Sequence, residues 1–272
     1  MKRYPTTLII AGSDSCGGAG IQADLKTCAA LGVYAATAIT AVTAQNTQGV
    51  RAVQPIETNI VRQQIEAVLE DFTVDSIKIG MLCNADIANT VADVLTSCHI
   101  PIILDPVMVS TSGCTLLERS AIDVIVKRLF PIAEIITPNI NEAGLLTSTN
   151  IHDSPQITLA AHHLLDMGCN AVLMKGGHLP GAMATDYLIT PDREEIFSTP
   201  FIDTRNTHGT GCTLSSAIAA YRASGYPLAE AVKHAKEFLH QAILYSADVQ
   251  CGDGHGSLNH TFKPQPLTPI EY

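Results

Sequence analysis

The sequence predicts a single α/β domain with a mostly parallel central sheet and helices on both of its faces. Short apolar runs alternate with longer helical patterns from residue 7 to residue 245, and this alternation is typical of sheets whose strands are joined by helices. No Pro-, Gly- or Ser-rich linker divides the 272 residues, and no internal repeat is present. One domain over residues 1–272 is therefore expected.

The first half of the chain alternates regularly between the two kinds of element. A buried apolar run opens it, and the helix that follows ends at Gly32, as helices commonly do at glycine. The predicted strands are Thr7–Ala11, Ala35–Ala44, Ser76–Gly80 and Ile102–Asp105. The predicted helices are Ile21–Leu31, Asn59–Phe72, Ala85–Ser97 and Glu118–Leu129.

The second half continues the pattern and adds a hairpin. Predicted strands lie at Glu134–Thr137 and Ala171–Lys175, and Tyr187–Thr190 with Glu195–Phe197 form the hairpin. The predicted helices are Ile157–Met167, Thr213–Ala223 and Leu228–Tyr245.

Charge and cysteine usage exclude several classes of function. Acidic residues outnumber basic ones by 26 to 16, which argues against nucleic acid or an anionic membrane as the main partner. The eight cysteines form no C-x-x-C pair and no secretion signal precedes them, so a reducing cytoplasm is the expected location. The uncharged run 27–50 contains too many polar residues for a membrane span, and we expect none.

Polar residues and glycines follow the predicted strands at their carboxyl ends, which is where ligands bind in open α/β sheets. We therefore expect an active site at this edge. The strands run into Gly12–Gly20, Gln45-Asn46, Gly80-Met81, Asp105-Pro106, Pro138-Asn139 and Lys175–Gly177.

The first glycine loop fits neither of two common nucleotide motifs. After Gly12-x4-Gly17 the lysine of a P-loop is missing, since Gly18-Ala19 follows. Residues 18–23 match G-x-G-x-x-A, but no acid occurs between Asp24 and Glu57 to bind a ribose. A turn where the backbone closely approaches a small ligand is the simpler interpretation.

Asp105, Asn139 and Glu142 form a second candidate group. Oxygen ligands at two strand ends suit Mg²⁺, which binds one or two carboxylates together with substrate phosphates. The structural alternative is that Asp105 caps a turn and Asn139 caps the helix that contains Glu142. The histidines show no zinc-finger spacing with the cysteines, so no transition-metal site is expected.

The third candidate is Cys212 at the start of a helix. Gly209, Thr210 and Gly211 precede it, and the free N–H groups of a helix start attract anions. The same field lowers the pKa of a thiol, so Cys212 is expected to ionise easily. The alternatives are a small packed residue, or a nucleophile for a carbonyl, for which no activating His–Asx arrangement is evident.

These motifs together resemble the ribokinase superfamily. Within it, the chain looks closely like the hydroxymethylpyrimidine/phosphomethylpyrimidine kinases of thiamine biosynthesis, and the similarity covers essentially its whole length. The motifs that carry the resemblance are GSDSCGGAGIQADLKT (12–27), AVTAQNT (41–47), KIGML (78–82), LDPVMV (104–109), TPNINEA (137–143), MKGGH (174–178), HGTGCTLSSAIA (208–219) and GHGSLNH (254–260).

The resemblance implies roles for the phosphoryl-transfer residues. Cys212 stands where most of the superfamily has an aspartate base, and residues 209–211 would form the anion hole for the transferring group. Asp105, Asn139 and Glu142 would position Mg²⁺ and its waters around ATP.

It also implies the binding residues. Lys175 would neutralise the triphosphate, Lys236 would lie near the nucleotide, and Gln45 would hydrogen-bond the aminopyrimidine. The residues around that ring would be Gly12, Asp24, Met81 and Val107. Thr111 stands where lysine is frequent in the family, which leaves the contact of that loop open.

The activity so implied is ATP- and Mg²⁺-dependent phosphorylation of 4-amino-5-hydroxymethyl-2-methylpyrimidine and then of its monophosphate, in a homodimer. Pyridoxal kinase activity is the nearest alternative, because some relatives with the same cysteine accept pyridoxal. A non-catalytic vitamin-precursor binding protein is a further alternative, although it would leave the metal and phosphate residues idle.

Overall fold

A computed structural model describes residues 2–109, 113, 116–177 and 181–271 and confirms the predicted α/β class. Its strands are β1 (Lys2–Arg3), β2 (Thr6–Asp14), β3 (Tyr34–Asn46), β4 (Gly49–Pro55), β5 (Ser76–Ile79), β6 (Ile102–Leu104), β7 (Ile135–Ile136), β8 (Val172–Lys175), β9 (Met183–Ile189), β10 (Glu194–Pro200) and β11 (Ile270–Glu271). Its α-helices are α1 (Gly20–Ala30), α2 (Thr58–Asp71), α3 (Ala85–Leu95), α4 (Arg119–Val124), α5 (Ile140–Thr147), α6 (Ser154–Asp166), α7 (Thr210–Ala223) and α8 (Leu228–Leu244).

One sheet joins nine of these strands in the order β10-β9-β8-β7-β6-β5-β2-β3-β4. Its central six strands, from β8 to β3, are parallel, while β4 at one edge and the β9–β10 hairpin at the other are antiparallel. The parallel strands all end at the same edge, so the loops that follow them converge there.

Both faces of the sheet are buried because successive side chains of a strand point to opposite sides. Ile102 and Leu104 of β6 pack in the larger core cluster, which includes residues of α2 to α6. Ile103 between them packs in a second cluster with α7 and α8, and α1 packs beside these helices in a third. The sheet therefore forms the middle of three layers.

Several elements differ from the sequence prediction. Strand β4 was not predicted, and it is an edge strand with exposed residues and no clear alternation. The helix expected over Glu118–Leu129 changes after Val124 into a π-helical turn over Ile125–Leu129. Helix α7 begins at Thr210, three residues earlier than predicted, which places Gly211 and Cys212 in its first turn.

Two remaining observations concern the cysteines and the membrane. The seven cysteines that the structure describes are all free thiols. Within the described ranges, each helix is too short or too polar to cross a membrane.

Candidate active site

A cavity of about 700 Å³ lies at the carboxyl ends of the parallel strands. This volume is within the range of small-molecule sites. With the exception of Asp24, the residues predicted for the site lie in its wall. They are Gly12, Gln45, Met81, Asp105, Val107, Asn139, Glu142, Lys175, Gly209, Thr210, Gly211, Cys212 and Lys236.

The first turn of α7 forms one side of the cavity. Gly209 is its N-cap with φ 87°, and a Cβ there would lie 1.8 Å from the carbonyl oxygen of Gly18. Only glycine fits such a contact and backbone angle. Gly211 and Cys212 lie in the first turn of α7, where the backbone N–H groups have no carbonyl partner within the helix. These N–H groups are therefore suited to bind an anion.

The Cys212 thiol does not have the acidity that its position predicts. Burial raises the pKa of this thiol to about 11, and the positive charge of Lys78 opposes the increase. The expectation of an easily ionised thiol is therefore wrong for the protein without ligands. The reason is that the helix start was visible in the sequence, whereas the loss of water around the sulfur was not.

Two carboxylates and one ammonium form a charged cluster beside the same turn. Lys175 Nζ lies 2.8 Å from Asp105 Oδ1 and 3.9 Å from Glu142 Oε2. Burial raises the pKa of Glu142 to about 7, with Lys175 lowering and Asp105 further raising it. A Cβ at Gly211 would lie 3.3 Å from both Asp105 Oδ2 and Lys175 Nζ, so this cluster abuts the start of α7. Above pH 7, where Glu142 is largely ionised, the cluster has an excess of negative charge.

Asn139 and Glu142 also form the helix cap that was the structural alternative. Asn139 Oδ1 accepts from Glu142 N at 2.9 Å, and Glu142 Oε2 accepts from Asn139 N at 2.8 Å. Both residues still line the cavity. Capping therefore fixes the Glu142 carboxylate at the cavity wall.

Lys236 is held by a residue that the sequence analysis missed. Its Nζ donates to Asp186 Oδ2 at 2.7 Å, and the N–H of Gly176 donates to the other oxygen at 3.0 Å. Asp186 lies on β9, one residue before the predicted hairpin strand Tyr187–Thr190, and the sequence gives no sign of its charged partner.

At the other end of the cavity, Gln45 contacts a second pair that was missed. Gln45 Nε2 is 3.4 Å from His208 Nε2, and that same nitrogen is 2.8 Å from Asp14 Oδ2. Thr43 donates its hydroxyl to Gln45 Oε1 at 3.3 Å. The sequence offered a signal for both members, because Asp14 lies in the glycine loop 12–20 after the first predicted strand and His208 directly precedes Gly209.

The first glycine loop wraps around Asp14. The Asp14 carboxylate accepts from the N–H groups of Cys16, Gly18 and Ala19 at 2.8, 3.1 and 2.8 Å. These N–H groups already donate to Asp14, whereas those of a P-loop bind phosphate. This agrees with the absence of a P-loop lysine after the loop.

Asp24 does not line the cavity, unlike the other residues that the resemblance assigned to the substrate. It is fully buried, Lys78 Nζ lies 2.8 Å from its Oδ2, and Ser216 donates to its Oδ1. It therefore lies behind the wall of the site. Thr111, the other residue in question, lies outside the described residues.

A closing segment, defined here as residues 246–260, packs against the start of α7. The Gly256 carbonyl accepts from His208 N at 3.1 Å, and Val249 O accepts from Asn206 Nδ2 at 2.7 Å. Thr213 Oγ1 is 2.9 Å from His260 Nε2, and burial lowers the pKa of this histidine to about 4. His260 is therefore neutral near pH 7, and its contact with Thr213 stabilises the first turn of α7.

Known kinases are similar in sequence to this chain. A family model described as phosphomethylpyrimidine kinase matches residues 14–259. The hydroxymethylpyrimidine/phosphomethylpyrimidine kinase of Rhizobium meliloti is 48% identical over 254 residues, which cover 93% of this chain and 96% of the relative. That of Salmonella typhimurium is 46% identical, with 93% and 96% covered.

Solved structures give the same fold. A phosphomethylpyrimidine kinase from Clostridium difficile is 44% identical with a TM-score of 0.78, and the match covers 88% of this chain and 99% of that one. A Bacillus subtilis pyridoxal kinase in an ADP complex is 34% identical with a TM-score of 0.85, and 94% and 97% are covered. The backbone alone thus does not distinguish phosphomethylpyrimidine kinases from pyridoxal kinases. Sequence identity does, since it is higher to the phosphomethylpyrimidine kinase. The chain belongs to the phosphomethylpyrimidine kinase family.

Proposed function

We propose that this kinase transfers the γ-phosphoryl group of ATP to the hydroxymethyl group of 4-amino-5-hydroxymethyl-2-methylpyrimidine and then phosphorylates the resulting monophosphate. One observation carries the proposal. Along one cavity, Gln45 Nε2 is 3.4 Å from His208 Nε2, His208 directly precedes Gly209 at the start of α7, and the Asp105–Lys175 pair lies beside Gly211. A pyrimidine end and a phosphate end are thus joined by an anion-binding helix start.

The phosphate end supplies positive charge to the transferring group. Phosphoryl transfer depends mainly on positioning and on neutralising charge. The N–H groups at the start of α7 and the ammonium groups of Lys175 and Lys236 provide both. We infer that Lys236, held by Asp186, stays in place for the nucleotide when ATP enters.

Asp105 and Glu142 fit a Mg²⁺ site. Their oxygens are the hard ligands that Mg²⁺ prefers, and two buried carboxylates share one ammonium, which leaves room for a further cation. When bound, Mg²⁺ would neutralise charge on the phosphate oxygens. Asn139 would act by fixing Glu142 through the cap.

The pyrimidine end supplies shape and hydrogen bonds. The Gln45 amide offers a donor and an acceptor, which match an aminopyrimidine edge. Met81 and Val107 lie in the same cavity wall and offer apolar surface to the ring. Gly12 leaves Met81 its position, since a Cβ at Gly12 would lie 3.1 Å from Met81 Sδ.

Cys212 is the proposed base for the first transfer. An alcohol must lose its proton as it attacks phosphorus, and a positioned base contributes about 10²–10⁴-fold. A phosphate monoester has a second pKa of about 6 and is already a dianion near neutral pH, so the second transfer needs no base.

The experiment is kcat/KM for both acceptors with Cys212→Ala and, as a control, Cys98→Ala, whose thiol lies outside the cavity wall. We expect Cys212→Ala to reduce phosphorylation of the alcohol by about 10²-fold or more and that of the monophosphate much less. Equal losses would make Cys212 part of the anion site. Pyridoxal is assayed in parallel, and a higher kcat/KM for pyridoxal would refute the pyrimidine assignment.

The setting of the enzyme is also a proposal. We propose a cytoplasmic homodimer, on the basis of the family resemblance. Sedimentation equilibrium of the purified protein tests the dimer, and a monomer at micromolar concentration would contradict it.

A further inference from the structure

Lys78 is a fully buried lysine that the roles above do not use. It lies on β5 in the middle of the parallel sheet, with a side-chain exposure of 0%. Lysine is almost never buried without a partner, and here its Nζ lies 2.8 Å from Asp24 Oδ2. A buried ion pair often adds little to the stability of the fold. The presence of this pair therefore points to a role in the site.

The position of the pair points to Cys212. Lys78 contributes to the cavity wall together with Cys212, and a Cβ at Gly80 would lie 2.8 Å from its Nζ, so the ammonium lies toward the strand's carboxyl end. Asp24 accepts from the hydroxyl of Ser216. Ser216 lies four residues after Cys212 on α7, on the same helix face. The contacts thus connect Lys78, Asp24 and the helix that carries the thiol.

The charges around the thiol come from several elements. Lys78 lowers the pKa of Cys212, whereas Asp24 of α1 and Asp105 after β6 raise it, and the N–H of Gly20 lowers it. Burial lowers the pKa of Lys78, but the negative charge of Asp24 raises it, and the pKa is raised on balance. Lys78 is therefore charged, and among the described residues it is the cation that most favours a thiolate at Cys212.

We propose that Lys78 is a positioning residue of the first phosphorylation, whose buried ammonium stabilises the Cys212 thiolate while Asp24 holds that ammonium in place. The inference rests on the proposed function of Cys212. In the step, the hydroxymethyl O–H bond breaks and its proton goes to Cys212 Sγ, the oxygen forms a bond to the γ-phosphorus, and the bond from that phosphorus to the β–γ bridging oxygen breaks to release ADP.

The test removes both charges together with Lys78→Met/Asp24→Asn, so that no unpaired charge stays buried. Iodoacetamide labelling of the Cys212 peptide is followed by mass spectrometry from pH 6 to pH 10 (about the range in which thiols ionise). We expect labelling of Cys212 to slow at pH 8, because the lowering of the thiol pKa by Lys78 exceeds its raising by Asp24. The exposed Cys251 is the internal control and should keep its profile.

A second variant tests whether Lys78 depends on Asp24. In Asp24→Asn the carboxylate that keeps the buried Lys78 charged and in place is lost, so the Cys212 profile should move to higher pH, as in the double variant. The control Arg222→Gln/Glu134→Gln removes another ion pair of α7 and should leave Cys212 unchanged. Unchanged labelling of Cys212 in both site variants, with folding verified by circular dichroism, would overturn the proposal.

Kinetics separate this inference from the proposed function. With the double variant, kcat/KM for the alcohol should fall, and kcat/KM for the monophosphate should fall much less. Labelling needs no substrate, so it reports on Lys78 even if the pyrimidine is not the acceptor. Equal losses for both acceptors would assign the pair a structural role.

Discussion

The buried carboxyl of Glu142 makes the stability of the ligand-free protein depend on pH in an unusual direction. Its pKa is about 7 in the fold against 4.5 ordinarily. Between these values the folded protein holds a proton that the unfolded chain has released, so the free energy of unfolding falls as pH rises from 4.5 to 7. At 1.36 kcal/mol per pKa unit, the loss is about 3 kcal/mol as an upper limit.

Glu142→Gln removes this titration and keeps an oxygen that can cap α5. At pH 5 the variant and the wild type should have similar Tm values, whereas at pH 8 the variant should melt higher by roughly 5–10 °C. The control Glu70→Gln, on the exposed face of α2, should show no such pH dependence. Calorimetry without ATP or metal measures all three proteins.

Magnesium supplies a second arm of the same experiment. At pH 8, saturating Mg²⁺ should raise the Tm of the wild type, because it binds the folded state, and should raise that of Glu142→Gln much less. A Tm difference that is the same at pH 5 and pH 8 would refute the electrostatic reasoning, and equal Mg²⁺ effects on both proteins would remove Glu142 from the metal site.

Three further predictions concern binding and folding. Gln45→Ala should raise KM for the pyrimidine at least about tenfold, the value of one lost hydrogen bond to a buried polar group, with KM for ATP unchanged; equal changes would remove Gln45 from the pocket. In initial-rate kinetics, Lys236→Met should raise KM for ATP and leave KM for the pyrimidine unchanged. An unchanged KM for ATP would contradict the role of Lys236. Gly209→Ala should cost more than about 3 kcal/mol in urea unfolding, because its Cβ would meet Gly18 O. The matched Gly225→Ala, with φ +86° and open space, should cost only about 1 kcal/mol; equal costs would rule out the clash.

The position of the site could be predicted from the sequence. Ligands of open α/β sheets bind at the carboxyl ends of the strands, and finding those ends requires only the order of the strands and helices. Residues in or just after the carboxyl ends of β2, β3, β5, β6, β7 and β8 do meet in one cavity. Local rules also predicted the cap at Asn139, since the Asn-x-x-Glu spacing encodes both hydrogen bonds.

Burial and long-range pairing account for what the sequence could not show. Asp24 is on the first helix after the glycine loop, and only the packing of α1 against β5 and α7 reveals that it faces Lys78. The partnership of Asp14 with His208 joins residues 194 positions apart. Similarly, the acidity of Cys212 depends on how much water surrounds it, which no local pattern encodes.

The contacts of residues 246–260 have a consequence for synthesis on the ribosome. A nascent chain that has emerged only as far as residue 245 already contains Cys212 and the acids and lysines of the cavity. It still lacks the Gly256 carbonyl that His208 N binds and the His260 ring beside Thr213. The first turn of α7 therefore gains these contacts only after the last stretch of the domain has been translated.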